Sequence, residues 1–440
     1  MDIIVMGAQM ILGLSILVGL HEFGHLLAAK LFGMRVEQYS IGFPPRIFKF
    51  NYGDTVYSIG MIPLGGYVKI AGMIDESLDL KSMKEEPKPY EFRSKPAWQR
   101  LIVMTGGILM NVITGIIIFI IMVYSFGESY ISKNEVNKAG IVSYSLGREI
   151  GLKTGDKIIR INGHDYEKFA DLTNPDNLLD DGAFYTVVRG KDTLNVYIPG
   201  DFIEKISTLK TSDTTGFIDP IFRFRVGEIE KGSGADLGGL KKGDRIVSIR
   251  GVRTEYYHEM KEVLMQSKGD SVKVMVERKG TILPLTIQVS REGILGFHPV
   301  SELDLSNVQY SLWQAIPIGT ERAFSIVFIN VKAFGKIITG QLDFRKSISG
   351  PIGIAKTFGG TWDWYRFWNL VGLLSMILAF MNFLPIPALD GGHVMFLTFE
   401  IISGKKPSDK FMEVSQKVGM VILLSLMVFV IFNDIFKEIF

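Results

Sequence analysis

A chain of 440 residues has room for two to four domains, and 47% of this one is hydrophobic, with a mean hydropathy of +0.24. That apolar content is high for a soluble protein of this length and points to a membrane. The formal net charge of +2 gives no electrostatic footprint for nucleic acid. The absence of cysteine excludes disulfides and thiolate-held metals, which leaves His, Asp and Glu to hold any metal ion.

A membrane span takes about 20 mostly apolar residues at about 1.5 Å rise each. The first such run is Ile3 to about Ala29, and LVGLHEFGHLLAAKLFG, Leu17 to Gly33, closes it. It has no basic n-region and ends in HEFGH rather than in small residues, so it reads as a retained span and not as a signal peptide. Between Arg35 and Ala71, the stretches VEQYSIGF, RIFKFNY and TVYSIGMIPLGGYVKIAG alternate as strands do, with turns at Pro44-Pro45 and Gly65-Gly66. The second span is Leu101 to Phe126. A long section from Glu128 to Ser311 follows. In it GLKTGDKIIRING, Gly151 to Gly163, recurs 88 residues later as GLKKGDRIVSIRG, Gly239 to Gly251. In each copy GD supplies a turn and the alternating apolar residues a strand, so two small domains in tandem are expected. Ala323 to Gly340 is interrupted by Lys332 and Lys336 and reads as an amphipathic helix on the membrane or against other helices. Phe367 to Leu384 is the third span. Val418 to Phe432, bounded by Lys417 and Asp434, is a short fourth.

Basic residues collect in the loop between spans one and two, from Lys30 through Lys81 and Lys84 to Arg100, and between spans three and four, from Lys405 to Lys417. The positive-inside rule puts these loops in the cytoplasm. Both termini and the section from Glu128 to Ser311 are then expected outside.

A charged residue at the centre of a span costs roughly 2.5–3.5 kcal/mol, so His21, Glu22 and His25 in span one need a reason. HEFGH fits H-E-x-x-H. Positions four apart share one helix face, so both imidazoles point the same way, and the Glu between them can act as general base on a water activated by the metal. Polar residues that merely bond neighbouring helices would not favour this spacing. A catalytic zinc takes three protein ligands and keeps one position open. NFLPIPALDGGH, Asn382 to His393, offers two candidates by residue type, Asp390 and His393, of which Asp390 is favoured. Depth agrees. His21 lies roughly 27 Å below the outer end of span one at helical rise. The third span runs the same way, breaks at Pro385 and Pro387, and puts Asn382 roughly 23 Å down.

On these two motifs the chain resembles the site-2 protease family of intramembrane zinc metalloproteases, most closely the bacterial branch with periplasmic PDZ domains that cleaves membrane-anchored anti-sigma factors. The resemblance covers nearly the whole chain. HEFGH resembles the family's first motif and NFLPIPALDGGH its second, which implies Asp390 as third ligand and Asn382 as a substrate-contacting residue. YSIGFPPRIF and IPLGGYVKIAG resemble the loop after the first span, SGPIGIAK (Ser349 to Lys356) the stretch before the third, and GGILMN (Gly106 to Asn111) a motif with proline where Ile108 stands. The repeat resembles tandem PDZ domains, which bind peptides by strand addition.

The expected architecture is therefore an α-helical integral membrane protein with four transmembrane helices, a membrane-associated β-hairpin region and two α+β PDZ-like extracytoplasmic domains. Residues 1–127 carry spans one and two with the hairpin or re-entrant region at 35–71. The PDZ-like domains are 128–215 and 216–300, the amphipathic segment is 301–345, and spans three and four lie in 346–440. The expected activity is that of a zinc endopeptidase of the bacterial inner membrane that cuts membrane-anchored, single-span proteins in or near their spans, in regulated intramembrane proteolysis of substrates such as anti-sigma factors or remnant signal peptides. His21, His25 and Asp390 hold the Zn2+, Glu22 is the base, and Asn382 binds substrate near the cytoplasmic face. Peptides are possible ligands of the PDZ domains. The alternatives are a catalytically silent PDZ scaffold, against which all five polar site residues speak, and a cation transporter, for which spans two and four offer little beyond Asn111, Thr114 and Ser425.

Overall fold

Each long apolar run forms a helix in the computed structural model, which describes residues 2–73, 86–207, 216–343, 345 and 350–439. Lys81, Lys84 and Ser349 lie outside the described residues. The chain divides into two units, residues 1–127 with 309–440, and residues 128–308.

Four helices of the first unit are long and apolar enough to cross a membrane: Ile3–Leu31, Ala97–Phe126, Trp364–Phe383 and Lys410–Phe436. They belong to α1 (Asp2–Leu31), α2 (Ala97–Phe126), α5 (Trp364–Phe383) and α7 (Asp409–Ile439), with α3 (Leu312–Ile338), α4 (Pro351–Phe358) and α6 (Asp390–Ser403) between them. The fourth span is longer than its apolar run suggests. Asp434 does not end it, because its carboxylate accepts hydrogen bonds from the backbone N–H groups of Gly350, Ile352 and Gly353 at 2.8–3.0 Å. These are the unpaired amides at the start of α4, where a negative charge is also favoured by the helix dipole. α2 runs unbroken through Ile108. α3 begins eleven residues before the expected segment and packs on other helices. A methyl on Gly319 would meet the backbone N of Ile120 in α2 at 2.6 Å, and Phe334 packs edge-on to Phe380 of α5.

Two bent strands, β1 (Val36–Tyr52) and β2 (Thr55–Ile70), fold into what is in effect a four-segment sheet. Residues 36–41 pair with 66–70 on one side and with 56–59 on the other, and 46–52 pair with 55–60. The segment 66–70 is thus an edge. Among the described residues no other strand lies on its far side.

The second unit has two apolar cores, one drawn from residues 136–218 and one from 224–295. The first surrounds the sheet Lys157–Ile161, Phe184–Arg189, Asp192–Tyr197. The second surrounds the sheet built on Arg245–Ile249, Ser271–Arg278 and Thr281–Gln288. Strands Glu128–Ile131 and Leu305–Val308 pair and bring the ends of the unit together. The repeat has a purpose beyond its turn. Asp156 is nearly inaccessible, accepts from the backbone N–H of Lys153, and is gripped through both oxygens by Arg189 at 2.7 Å. Asp244 repeats this with Lys241 and Arg278 at 2.6–2.8 Å, and each arginine also donates to the carbonyl of the glycine that heads its motif. Burial works to raise the Asp244 pKa, but the Arg278 fork and the Lys241 amide outweigh it and hold the carboxyl below its ordinary value. The stabilisation is complete above the unfolded carboxylate pKa, about 3.9, and is lost as pH falls through the lower folded value. Asp244→Ala strands a bonded arginine and is expected to cost the second half about 3 kcal/mol. Hydrogen exchange of residues 224–295 against 136–218 checks this, since only the former should open.

Candidate metal centre

HEFGH lies within α1, with both imidazoles on one face. Gly24, between the histidines, lets α1 and α2 touch. A methyl there would stand 2.2 Å from the Gly106 carbonyl oxygen. This close crossing brings α2 over the histidines. The His25 Nδ1 lies 2.8 Å from the carbonyl oxygen of Val103, which can only accept, so Nδ1 carries the proton and Nε2 presents its lone pair. Val103 is one turn before Gly107, whose missing side chain leaves room for both imidazole rings. A Cβ on Gly107 would fall 2.4 Å from His25 Nε2 and 2.8 Å from His21 Nε2.

The third group comes from the other end of the chain. α5 stops at Phe383 and Leu384 leaves the helix; Pro385 and Pro387, which cannot continue it, follow. The backbone folds back tightly. Methyls on Gly391 and Gly419 would meet the carbonyl oxygens of Leu384 and Pro387 at 2.1 and 1.9 Å, and Ala388 holds φ +77°, a strained value for a residue with a Cβ. The turn delivers Asp390 as the first residue of α6, where the helix dipole favours a carboxylate. Arg100 in α2 pairs with Glu400 at 2.5 Å and ties α6 to α2.

The result is a convergence of three donors. Asp390 Oδ2 is 3.1 Å from His21 Nε2 and 3.3 Å from His25 Nε2, and the two Nε2 atoms are 3.3 Å apart. Yet Asp390 Oδ2 is buried with no hydrogen-bond partner among the described residues, which is costly unless something else satisfies it. A tetrahedral site with bonds of about 2.0–2.1 Å spaces its ligand atoms about 3.3–3.4 Å apart. The three residues therefore fit one metal ion, and they are the one such group among the described residues. His393 is not part of it. One turn along α6, it faces Gln416 of α7 at 2.7 Å.

The cluster opens on a cavity of about 690 Å³ that Glu22, Asn382 and the edge segment Gly66–Ile70 also line. Glu22 packs beside the edge segment, its Cγ 3.4 Å from where a Cβ on Gly66 would stand, and Asn382 Nδ2 lies 3.5 Å from His21 Nε2. All five residues expected from sequence are brought to one place. Gly107 and Asn111, also at the cavity or the rings, were visible only as a motif without a role.

The model of Peptidase family M50 matches residues 9–426. The chain belongs to peptidase family M50. It is a metallopeptidase of the site-2 protease type. Among its M50 relatives, the putative zinc metalloprotease of Vibrio cholerae is 28% identical over 449 residues, 96% of this chain and 97% of that one. The regulator of sigma E protease of Haemophilus influenzae is 28% identical, covering 97% and 98%. The regulator of sigma-E protease of Escherichia coli is 29% identical, covering 97% of both. For this M50 peptidase, Gly107→Ala is expected to push the imidazoles apart and weaken metal binding by at least 10–100-fold, the range seen when such orienting groups are lost. Metal content of the purified variant, with helicity unchanged, checks this.

Proposed function

We propose that this chain is an intramembrane zinc endopeptidase that cuts single-span membrane proteins in or near their membrane segment. The supporting observation is that the three-donor cluster, Glu22 and the edge strand 66–70 face one cavity. His21, His25 and Asp390 hold the zinc. When bound, zinc supplies a Lewis acid for the scissile carbonyl and a nucleophilic water at neutral pH. A helical substrate hides its peptide bonds in hydrogen bonds. Residues 66–70 bind the unwound segment by strand addition, inside a protein-lined cavity where non-helical backbone is tolerated at membrane depth. Glu22 takes the proton of the attacking water and delivers it to the leaving amine. Asn382 orients the substrate backbone or steadies the developing oxyanion.

The chain is read as a bacterial inner-membrane protein. The basic loops lie in the cytoplasm and the termini outside, together with residues 128–215 and 216–300 as PDZ-like domains. Relatives named regulator of sigma E protease support a regulatory protease, and membrane-anchored anti-sigma factors or remnant signal peptides are the substrates we propose. The test is cleavage of a single-span substrate by the purified chain in detergent, with and without a chelator. Cleavage within or beside the substrate span, lost on chelation and restored by zinc, is expected. A chain that holds zinc and binds the substrate without cutting it contradicts the proposal and favours a scaffold.

A further inference from the structure

Val103, Gly107 and Asn111 recur every four residues and form one stripe of α2 against the two histidines. Val103 orients His25 and Gly107 makes room for both rings. Asn111 is used by none of the steps above. It is fully inaccessible in the middle of an apolar helix, where a buried amide is costly unless it is paired. Its side chain meets His21, with Nδ2 3.2 Å from His21 Nδ1, and its Oδ1 is buried and unpaired among the described residues. Its backbone is fixed: the carbonyl of Asn111 accepts a hydrogen bond from Ser375 of α5 at 2.7 Å. Beside it the helices are in close contact, since a methyl on Gly115 would meet the Met376 sulfur at 2.5 Å. An amide serving as glue between α2 and α5 would turn toward α5. Here the backbone makes that link and the amide faces α1.

The two heavy atoms of an Asn amide exchange places by a half turn. A neutral imidazole that offers Nε2 to a metal carries its proton on Nδ1, and the partner it then needs is an acceptor. Only the orientation with Oδ1 toward Nδ1 satisfies both. We infer that Asn111 is a positioning residue that holds His21 as the Nδ1–H tautomer, with the Nε2 lone pair aimed at the point shared with His25 and Asp390, and thereby sets the affinity of the site for zinc. This rests on His21 being a zinc ligand, as proposed above. It gives the two histidines matched supports from α2, a backbone carbonyl for His25 and a side-chain carbonyl for His21. It also gives the last residue of GGILMN a chemical reason.

The experiment is zinc affinity of the full chain in detergent, measured by competition with a chromophoric chelator. Asn111→Leu keeps the volume and removes the acceptor, and is expected to bind zinc 10–100-fold more weakly. Asn111→Asp can only accept, and is expected to stay within about threefold of the parent chain. Unchanged affinity in Asn111→Leu, or equal loss in Asn111→Asp, overturns the inference while the parent chain still binds zinc. A parent chain that binds no zinc overturns the reading beneath it as well. Should Asn111→Leu fail to fold, isotope-labelled histidine in the zinc-loaded parent chain decides. A His21 Nδ1 proton protected from solvent exchange is expected, and one that exchanges as freely as an unpaired imidazole proton contradicts the assignment.

Discussion

The Glu22→Gln chain is expected to keep its zinc and to lose about 10²–10⁴-fold in turnover, the usual worth of a general base. The separation of the two effects follows from the geometry. The donors that converge are His21 Nε2, His25 Nε2 and Asp390 Oδ2, and Glu22 is not among them. It lines the same cavity, beside Gly66 of the edge segment. The amide of Gln fills the same space and keeps a hydrogen-bonding oxygen but accepts no proton. Metal analysis and a timed cleavage assay on one preparation check the prediction. Loss of zinc together with activity would make Glu22 a ligand, and full activity would remove it from the reaction.

Asp390→Ala is expected to have the opposite signature: zinc falls well below one per chain and activity falls with it, because two imidazoles alone leave a zinc site short of its three protein ligands. His393→Ala is expected to leave zinc content unchanged, although both residues are acceptable ligands by type and lie three apart. The start of α6 separates them. Asp390 opens the helix and meets the histidines, while His393 is turned toward Gln416. The paired metal contents of these two variants distinguish the ligands directly. Zinc retained by Asp390→Ala and lost by His393→Ala would reverse the assignment.

Much of this centre was legible in the residues because its chemistry leaves few choices. Three ionisable groups in an apolar run at H-E-x-x-H spacing, and an Asp after two helix-breaking prolines, each stand out against a background where charge is expensive. The supports were not legible. Gly107 shows its value only when the imidazoles stand over it, and the pairing of Asn111 with His21 joins residues 90 apart in different helices. The same holds for Arg189 and Arg278, which close on the repeat's aspartates from strands more than thirty residues away. The last span runs past Asp434, a carboxylate that reads as a boundary until its three backbone donors are seen. The hairpin region was legible as strands. That each strand bends and pairs twice, leaving residues 66–70 as the edge beside Glu22, depends on contacts that local alternation does not encode.

His21 and Asp390, nearly 370 positions apart, are proposed to share one metal. The most direct measurement is an anomalous difference map collected at the zinc absorption edge from crystals of the zinc-loaded chain. A single peak within about 2.0–2.2 Å of His21 Nε2, His25 Nε2 and Asp390 Oδ2 is predicted. A peak held by other residues, or none at this cluster in a chain that contains stoichiometric zinc, would contradict it.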